Sequence, residues 1–564
     1  MHKPQTIPFV SSYFKYKIYP FERPKEMDGN QQAGHPVIVI GAGPIGLVLA
    51  IRLRQHGVPC VLIEAEAQVS GGSRAVALSR RSMEIIEQVG VAPRFLEHAI
   101  TWREGRSYYR NAVVHHLQMP FDPDDKYEPM TNLQQCMMEE ILVDQALDSG
   151  VELRFQTKLT DLKQDGEHVC LTLDTPEGSY ETKASWVVAC DGARSTVRKL
   201  MNLRYEGESF ESRFLIADFK IDLDAPVGRR CYFEPPWLPG QTALVHKTPL
   251  GVWRLDYQLP EELSDEEALD PARIARDIQA HLDYIGIDAP WKIEWTSLYK
   301  PNAMTLGNYC HGRVLFCGDA AHLLPVFGVR GMNTGVQDSI NLAWKLAAIV
   351  KKQASASLLE SYSHERVADA RQICVEASRS TRMVAPPTFG YRVLQQAVLS
   401  LAIDKEWVRG LLHWRTSHPI DYADSAITYL DPTDGMFEGG PPPGAPPRNV
   451  GLDAGQGFLL DHTGAGFTVL VFGGHPDFIH TVQQDVNDLV SRGVEVRMIQ
   501  LGRGNVSGNN IRLSDESGRL AAAYGCPGPA VYLLRPDQHV LSRWTDSSES
   551  RVRDLILRML DLLA

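Results

Sequence analysis

The sequence lacks the features that mark several classes of protein. Its nine cysteines form no Cys-x-x-Cys pair and no metal-ligand spacing, so a dithiol centre and a metal site are not expected. No long basic run occurs and the formal charge is −12, which argues against a nucleic-acid partner. No apolar run is long enough for stable membrane insertion, and the start of the chain has no signal-peptide pattern. We expect reduced thiols and a cytoplasmic location.

Length and composition indicate a globular protein of two or three units, because 564 residues exceed one typical domain and 44% of them are hydrophobic. Residues 439–447 contain only Gly, Pro and Ala, a composition typical of a linker. The predicted organisation is an N-terminal extension (1–35), a nucleotide-binding unit (36–204 and 301–430), an inserted sheet unit (205–300), a linker (431–450) and a C-terminal unit (451–564).

A glycine-rich segment near the start carries the first functional signal. Gly41, Gly43 and Gly46 stand between the apolar runs 37–40 and 47–51, where a strand turns into a helix. Such glycines permit a tight turn, close approach of a pyrophosphate and close helix packing. A second apolar run, 61–63, ends at Glu64, which is suitably placed to accept hydrogen bonds from a ribose. The segment predicts a dinucleotide site.

Two later segments fit the same ligand. Asp191 follows the apolar strand 186–189, and Asp319 follows the strand-like run 313–317. Ligands of open α/β sheets bind at such strand ends. The three segments together predict a pocket for FAD.

In their order and spacing, these motifs resemble the FAD-dependent aromatic hydroxylases, the family of para-hydroxybenzoate hydroxylase and phenol 2-hydroxylase. The resemblance spans nearly the whole chain. It implies an α/β fold, with a Rossmann-type FAD-binding domain, an inserted mixed β-sheet substrate domain and a C-terminal thioredoxin-like domain. The tail has no cysteine in the loop 473–477, so dithiol exchange is excluded there and a structural or oligomeric role is expected.

The resemblance also implies roles for individual residues. Gly41, Gly43 and Gly46 would hold the pyrophosphate and Glu64 the adenosine ribose. Asp319 would bind the ribitol, and Asp191 is associated with FAD and with nicotinamide use. The remaining residues implied to contact the cofactor are Arg74, Gln135, Gly331, Met332 and Asn333, with Pro325 facing the isoalloxazine ring.

The chain departs from the family pattern beside the ring. Many members have Gly-Gly-Gln where this chain has Gly328-Val329-Arg330. Arg330 either adds positive potential next to the ring or pairs with a carboxylate, and the sequence leaves both readings open.

The implied activity is hydroxylation of a phenolic or related aromatic compound by NAD(P)H and O2 through a flavin C4a-hydroperoxide. Within the sheet unit, Arg254 is a candidate to bind a substrate carboxylate, and His246 or Tyr257 to relay the phenolic proton. Two alternatives remain open: hydroxylation or epoxidation of a polycyclic, polyketide-type substrate, and a non-enzymatic flavin-bearing scaffold. A homodimer is also left open.

Overall fold

The computed structural model describes residues 1–5, 7–29, 34–412, 418–501, 510–545 and 550–561. In chain order, the strands are β1 (His35–Ile40), β2 (Cys60–Ile63), β3 (Ala77–Ser79), β4 (Ile100–Trp102), β5 (Glu104–Tyr109), β6 (Ala112–Gln118), β7 (Met130–Asn132), β8 (Glu152–Arg154), β9 (Lys158–Gln164), β10 (Val169–Thr175), β11 (Gly178–Ala189), β12 (Glu206–Ser209), β13 (Phe214–Ile221), β14 (Arg229–Phe233), β15 (Thr242–Lys247), β16 (Val252–Gln258), β17 (Trp291–Tyr299), β18 (Asn302–Thr305), β19 (Cys310–His311), β20 (Val314–Phe316), β21 (His322–Leu323), β22 (Phe467–Phe472), β23 (Val496–Leu501), β24 (Asn510–Leu513), β25 (Ala530–Leu534) and β26 (Val540–Trp544).

The α-helices, again in chain order, are α1 (Pro44–Gln55), α2 (Arg80–Gln88), α3 (Ala92–Leu96), α4 (Gln135–Asp148), α5 (Thr196–Leu200), α6 (Asp265–Ala268), α7 (Pro271–Tyr284), α8 (Gly331–Val350), α9 (Leu358–Val384), α10 (Phe389–Ala402), α11 (Glu406–Arg409), α12 (Pro476–Ser491), α13 (Arg519–Ala523) and α14 (Val552–Met559). Among the described helices, none is both long enough and apolar enough to cross a membrane.

An eight-stranded sheet forms the centre of the first unit. Its main path runs β19-β20-β11-β1-β2-β8, and β1 pairs in parallel with both β11 and β2. The central strands read as nearly continuous apolar runs because both of their faces are covered, as parallel sheets require. The carboxyl ends of β1, β11 and β20 therefore lie side by side, and they bring the three predicted motifs to one edge.

The inserted unit is a seven-stranded sheet in the order β17-β13-β16-β15-β14-β5-β6. Helix α7 covers one face, where it forms an apolar cluster with β13, β15 and β16. The sheet also includes the hairpin β5–β6, which lies outside the predicted range 205–300. The hairpin was missed because β5 pairs with β14, more than a hundred residues later in the chain.

The C-terminal sheet has the order β24-β23-β22-β25-β26, with β22, β23 and β24 parallel and β25 and β26 antiparallel. Helix α12 connects β22 to β23. This topology is compatible with the thioredoxin-like interpretation, which stays a prediction.

The segment predicted as a linker is packed: Gly444 donates a backbone hydrogen bond to Val540 (2.7 Å), and a Cβ on Gly440 would lie 2.2 Å from the Tyr524 carbonyl oxygen. Glycine there permits close packing.

A buried ion cluster joins the C-terminal sheet to the first unit. Arg535 donates to both carboxylate oxygens of Glu365 on α9 (2.7 and 2.9 Å), and Lys345 on α8 donates to the same carboxylate (2.8 Å). Trp344 donates to Asp537 (3.0 Å). Burial would raise the pKa of Glu365, but Arg535 and Lys345 hold that pKa well below its usual value. The cluster fixes the C-terminal unit against α8, the helix whose other end faces the predicted cofactor.

We predict that Arg535→Ala destabilises the protein by about 3–5 kcal/mol, because it leaves the Glu365 carboxylate buried with fewer partners. Chemical denaturation followed by tryptophan fluorescence measures the change. Arg492→Ala is the matched control, since Arg492 forms a surface pair with Asp488, and such pairs contribute about 0–1 kcal/mol. Equal stability losses in the two variants would contradict the assignment.

Candidate active site

The glycine segment forms a cradle at the start of α1. Gly41 has φ +102°, and a Cβ there would lie 2.6 Å from the Cys190 carbonyl oxygen. A Cβ on Gly46 would lie 2.0 Å from the Gly41 carbonyl oxygen, so only glycine permits the turn. Gly43 caps the helix without a side-chain partner and has open space where its Cβ would be. Because no side chain of the described residues caps this helix, the N–H groups of Ile45 and Gly46 are left for a ligand, as a pyrophosphate site requires.

Two carboxylates flank this cradle. Glu64 accepts the backbone N–H of Ala42 (2.8 Å), and burial raises the pKa of Glu64. Asp191 accepts the N–H groups of Thr196 and Val197 through one oxygen, whereas its other oxygen is buried without a hydrogen-bond partner in the described part of the chain. That unsatisfied oxygen indicates that a ligand group is expected next to it.

The third motif and the start of α8 lie opposite each other. Asp319 is in a one-turn 3₁₀ helix, and a Cβ on Gly331 would lie 4.0 Å from its carboxylate. Within the described residues, neither the Asp319 carboxylate nor the Arg74 guanidinium forms a hydrogen bond. The Asp319 side chain is open to the cleft. Desolvation by the surrounding protein raises its pKa, and the positive charges of His322 and Arg74 act to lower it. No side chain caps α8, so the first-turn N–H groups from Gly331 to Asn333 are left for another acceptor.

These observations fit FAD. The glycine cradle suits its pyrophosphate, Glu64 its adenosine ribose and Asp319 its ribitol. The start of α8 offers N–H donors and a positive dipole end to the ring edge, which becomes more negative on reduction. The residues named for these roles remain proposals.

Helix α4 begins at Gln135, with Gln134 as its N-cap. The Gln135 side chain accepts from the Ala75 N–H (3.1 Å) and donates to Glu139 (2.8 Å). Gln135 therefore holds the loop that carries Arg74 and reaches the predicted FAD site through that loop.

Two residues around the start of α8 have buried side chains with partners inside the protein. The Asn333 side chain is fully buried: its oxygen accepts from Ser79 (2.8 Å) and its amide nitrogen donates to Val329 (2.7 Å). Any contribution of Asn333 to the cofactor therefore comes from its backbone. Arg330 is buried and pairs with Glu376 (3.1 Å), which supports the pairing reading over free positive potential. Pro325 is buried at the start of the loop that leads to α8.

The prediction that Arg254 binds a substrate carboxylate needs correction. Its guanidinium pairs with Asp218 (2.8 and 2.9 Å) and also donates to the carbonyl oxygens of Ser73 and Arg74. These bonds use four of the five N–H groups of the guanidinium. Arg254 instead attaches the sheet to the loop that carries Arg74.

Tyr257 also needs correction as a proton relay. It lies on the face of the sheet covered by α7, and its hydroxyl donates to Asp277 on that helix (2.8 Å). Side chains alternate between the two faces of a strand, so Tyr257 points away from Arg254 and from the cofactor side. The sequence shows this alternation but not which face is turned toward the cofactor.

Asp256, which sequence reasoning did not select, lies on the cofactor side between two anchored positions. Arg254, two residues earlier on the same face, contacts the loop that carries Arg74. Phe214 is paired in register with Gln258, two residues later, and its ring packs on Phe327, two residues after Pro325 (5.0 Å between centroids). Asp256 therefore lies between the two loops predicted to flank the flavin ring.

The surroundings of Asp256 suit proton transfer. Only 14% of its side chain is exposed, and its Oδ1 is buried with no hydrogen-bond partner among the residues described. Burial, together with the charge of Asp218, raises the pKa of Asp256 to about 7, although Arg254 acts in the opposite direction. His246 lies 3.9 Å away, and burial followed by the charges of Arg229 and Arg254 holds its pKa well below the usual value. The site thus combines a neutral imidazole with a carboxyl group that titrates near neutrality.

Comparison with known proteins agrees with this geometry. Residues 35–377 match a family model described as "FAD binding domain". The chain is 25% identical over 535 residues to a 3-(3-hydroxy-phenyl)propionate/3-hydroxycinnamic acid hydroxylase of Mycolicibacterium smegmatis, covering 90% of each chain. It is 33% identical over 341 residues to a rifampicin monooxygenase of Streptomyces venezuelae, covering 58% of this chain and 67% of that protein.

The fold also has a solved counterpart. A crystal structure of aklavinone-11 hydroxylase in a ternary complex with FAD and aklavinone superposes with a TM-score of 0.75 at 24% identity. The match covers 94% of this chain and all of that one (100%). At this identity the likeness supports the fold.

Proposed function

The chain belongs to the FAD-binding-domain family of aromatic hydroxylases, and from that premise we propose that it hydroxylates a phenol whose hydroxyl group faces Asp256. It is an FAD-dependent monooxygenase, with NAD(P)H as reductant and O2 as the source of the transferred oxygen. The substrate proposal depends above all on the buried Oδ1 of Asp256 on the cofactor side of the sheet, which has no hydrogen-bond partner among the described residues.

When bound, FAD supplies the reduced flavin that activates dioxygen. The chain supplies binding and orientation of that cofactor through the glycine cradle, Asp319 and the start of α8. On the substrate side, Asp256 accepts the phenolic proton, which raises electron density at the ring positions ortho and para to the oxygen. The apolar surroundings from Phe214 and Phe327 exclude water, as an oxygen-transfer site needs.

A simple phenol and a polycyclic, polyketide-type phenol both satisfy this chemistry. Among the relatives, one is named for hydroxyphenylpropionate and another for rifampicin, so both substrate sizes are represented. We place the simple phenol first, because the relatives that match nine-tenths of the chain carry that name.

The test measures oxygen uptake and NAD(P)H oxidation by the FAD-loaded protein with each phenol of a panel, from hydroxyphenylpropionates to polycyclic phenols. The proposal expects stimulation by phenols and none by the matching methyl ethers, which have no proton to give to Asp256. Equal stimulation by the ethers would contradict the role of Asp256. No stimulation by any aromatic compound would favour the flavin-bearing scaffold.

We also propose a homodimer formed through α10 and α11. The exposed apolar side chains of this region include Phe389 (81% exposed), Leu394 and Trp407 (76%), and contiguous apolar surface is typical of interaction sites.

We predict that the protein elutes as a dimer and that Phe389→Glu combined with Trp407→Glu converts it to a monomer. Size-exclusion chromatography with light scattering measures this. A monomeric wild-type protein would refute the proposal.

A cytoplasmic location is proposed on the chemistry of the cysteines. None of the nine forms a disulfide, and Cys60, Cys136 and Cys231 are buried as thiols. Such thiols persist in a reducing compartment.

A further inference from the structure

The N-terminal arm, residues 7–29, precedes the part of the chain that matches the family model, which begins at residue 35. The sequence predicted only an N-terminal extension here, and the structure shows that this segment is packed. Tyr16 is only 4% exposed and belongs to the core of the first unit. Phe9 and Phe14 make edge-on contacts with its ring (5.4 and 4.7 Å between centroids). The arm is therefore an integral layer of the first unit.

The arm contacts the loop that carries Arg74. We call residues 68–74 the Arg74 loop. The hydroxyl oxygen of Tyr16 accepts the backbone N–H of Gly72 (2.9 Å), and the N–H of Phe9 donates to Gln68 (3.2 Å). The Phe9 ring also lies 3.3 Å from the position that a Cβ on Gly71 would take. The arm thus covers one side of the loop along most of its length.

The substrate sheet holds the other side of the same loop. Arg254 donates to the carbonyl oxygens of Ser73 and Arg74, as described above. A Cβ on Gly72 would lie 2.2 Å from the indole nitrogen of Trp295, so the loop lies directly against β17. Gly72 is therefore held between Tyr16 of the arm and Trp295 of the sheet.

The arm also reaches the substrate sheet directly. The backbone N–H and the hydroxyl of Ser12 each donate to one carboxylate oxygen of Glu294 on β17 (both 2.6 Å). At its other end, the N–H of Tyr19 donates to the carbonyl oxygen of Ala67 (2.7 Å), just before the Arg74 loop. The arm therefore spans the seam between the FAD-binding unit and the substrate sheet.

We propose that the arm completes the framework of the active site and that Tyr16 is a positioning residue, which acts through Gly72 to place Arg74 beside the flavin. The charge of Arg74 acts on the Asp319 carboxylate, so a displacement of its loop changes the charge next to the proposed cofactor site. This inference rests on the proposed function only in assigning FAD to that space. Reciprocity follows: if the arm favours the FAD-binding form of the loop, FAD must stabilise the arm.

The first experiment compares Tyr16→Phe with Tyr19→Phe. Tyr16→Phe keeps the ring packing but leaves the Gly72 N–H without its acceptor. We expect FAD binding about 3- to 10-fold weaker, from fluorescence titration of the apoprotein, and a shifted visible flavin spectrum. Tyr19→Phe removes a hydroxyl that has no partner in the described structure, on a ring stacked on Phe155 (4.2 Å), and should leave both readouts unchanged. Ser12→Ala tests the exposed end of the arm, with a smaller effect in the same direction.

The second experiment measures amide hydrogen exchange over residues 9–19 with and without FAD. We expect FAD to slow exchange in the wild-type arm and to slow it less in Tyr16→Phe. The inference would be overturned if Tyr16→Phe had the FAD affinity and the flavin spectrum of the wild type. It would also be overturned if FAD left the amide exchange rates of the wild-type arm unchanged. Neither readout requires turnover, so a failure of the hydroxylation proposal would show separately, as unchanged FAD binding without reaction on any phenol.

Discussion

Replacing Asp256 with asparagine is expected to lower kcat for phenol hydroxylation about 10²- to 10⁴-fold, the usual contribution of a positioned acid–base group. Asparagine has nearly the same size as aspartate but accepts no proton at neutral pH. FAD affinity should stay close to that of the wild type, since Asp256 lies on the substrate sheet. Stopped-flow measurement of product formation with a simple phenol gives the rate.

The pH dependence gives the same residue a second signature. Burial raises the pKa of Asp256 to about 7, so the carboxyl group is mostly protonated at pH 6 and mostly ionised at pH 8. Because only the ionised form accepts a proton, kcat/KM should rise as pH increases through about 7 and then level off. This step should be absent in Asp256→Asn.

Asp277→Asn is the matched control for Asp256→Asn. Asp277 is partly buried, and its pKa is also raised by burial, but it accepts from Tyr257 on the opposite side of the sheet. Its substitution should leave both the rate and the pH profile nearly unchanged. A wild-type rate and profile in Asp256→Asn would remove Asp256 from the mechanism.

The second large effect concerns Gly43. Its backbone has φ −70°, which any residue adopts, and a Cβ there would meet no atom of the protein within 4 Å. Gly43→Ala should therefore leave the apoprotein folded with an unchanged melting temperature. The added methyl group lies where the pyrophosphate is proposed to approach, so FAD binding should weaken about 10- to 100-fold, as an overpacked contact of 1–3 kcal/mol implies.

Two further glycine variants serve as comparisons for Gly43→Ala. Gly46→Ala places a Cβ 2.0 Å from the Gly41 carbonyl oxygen and should destabilise the apoprotein itself. Gly528→Ala is the control, because a Cβ there would meet no atom within 4 Å, and it should change neither property. Calorimetry of the apoproteins and titration with FAD separate the two effects. If Gly43→Ala bound FAD like the wild type, the cradle would not hold the pyrophosphate.

Local patterns in the sequence were enough to predict the cofactor side of the molecule. The glycines at 41–46 encode a turn that only glycine permits, and the apolar run before Asp319 shows that a strand delivers it. Each of these depends on residues close together in the chain.

The substrate side depended on contacts between distant residues. Arg254 and Tyr257 were selected by residue type, but the packing of α7 decides which face of β16 is covered. Asp256 lies between these two residues in the sequence. The sequence alone shows that Asp256 and Tyr257, as neighbours in a strand, point to opposite faces of the sheet. The importance of Asp256 follows from the position of the Arg74 loop, 180 residues away along the chain. The packing of the arm also depends on distant residues, because Tyr16 accepts a hydrogen bond only once Gly72 is folded beside it.

The most direct test of oxygen transfer from O2 to a phenol is the origin of the oxygen in the product. The FAD-loaded protein is supplied with NAD(P)H, a phenol from the panel and ¹⁸O2, and the product is examined by mass spectrometry. We expect one ¹⁸O atom in each new hydroxyl group, with NAD(P)H consumed in proportion. Hydrogen peroxide as the only oxygen product with every phenol, or a hydroxyl oxygen derived from water, would contradict it.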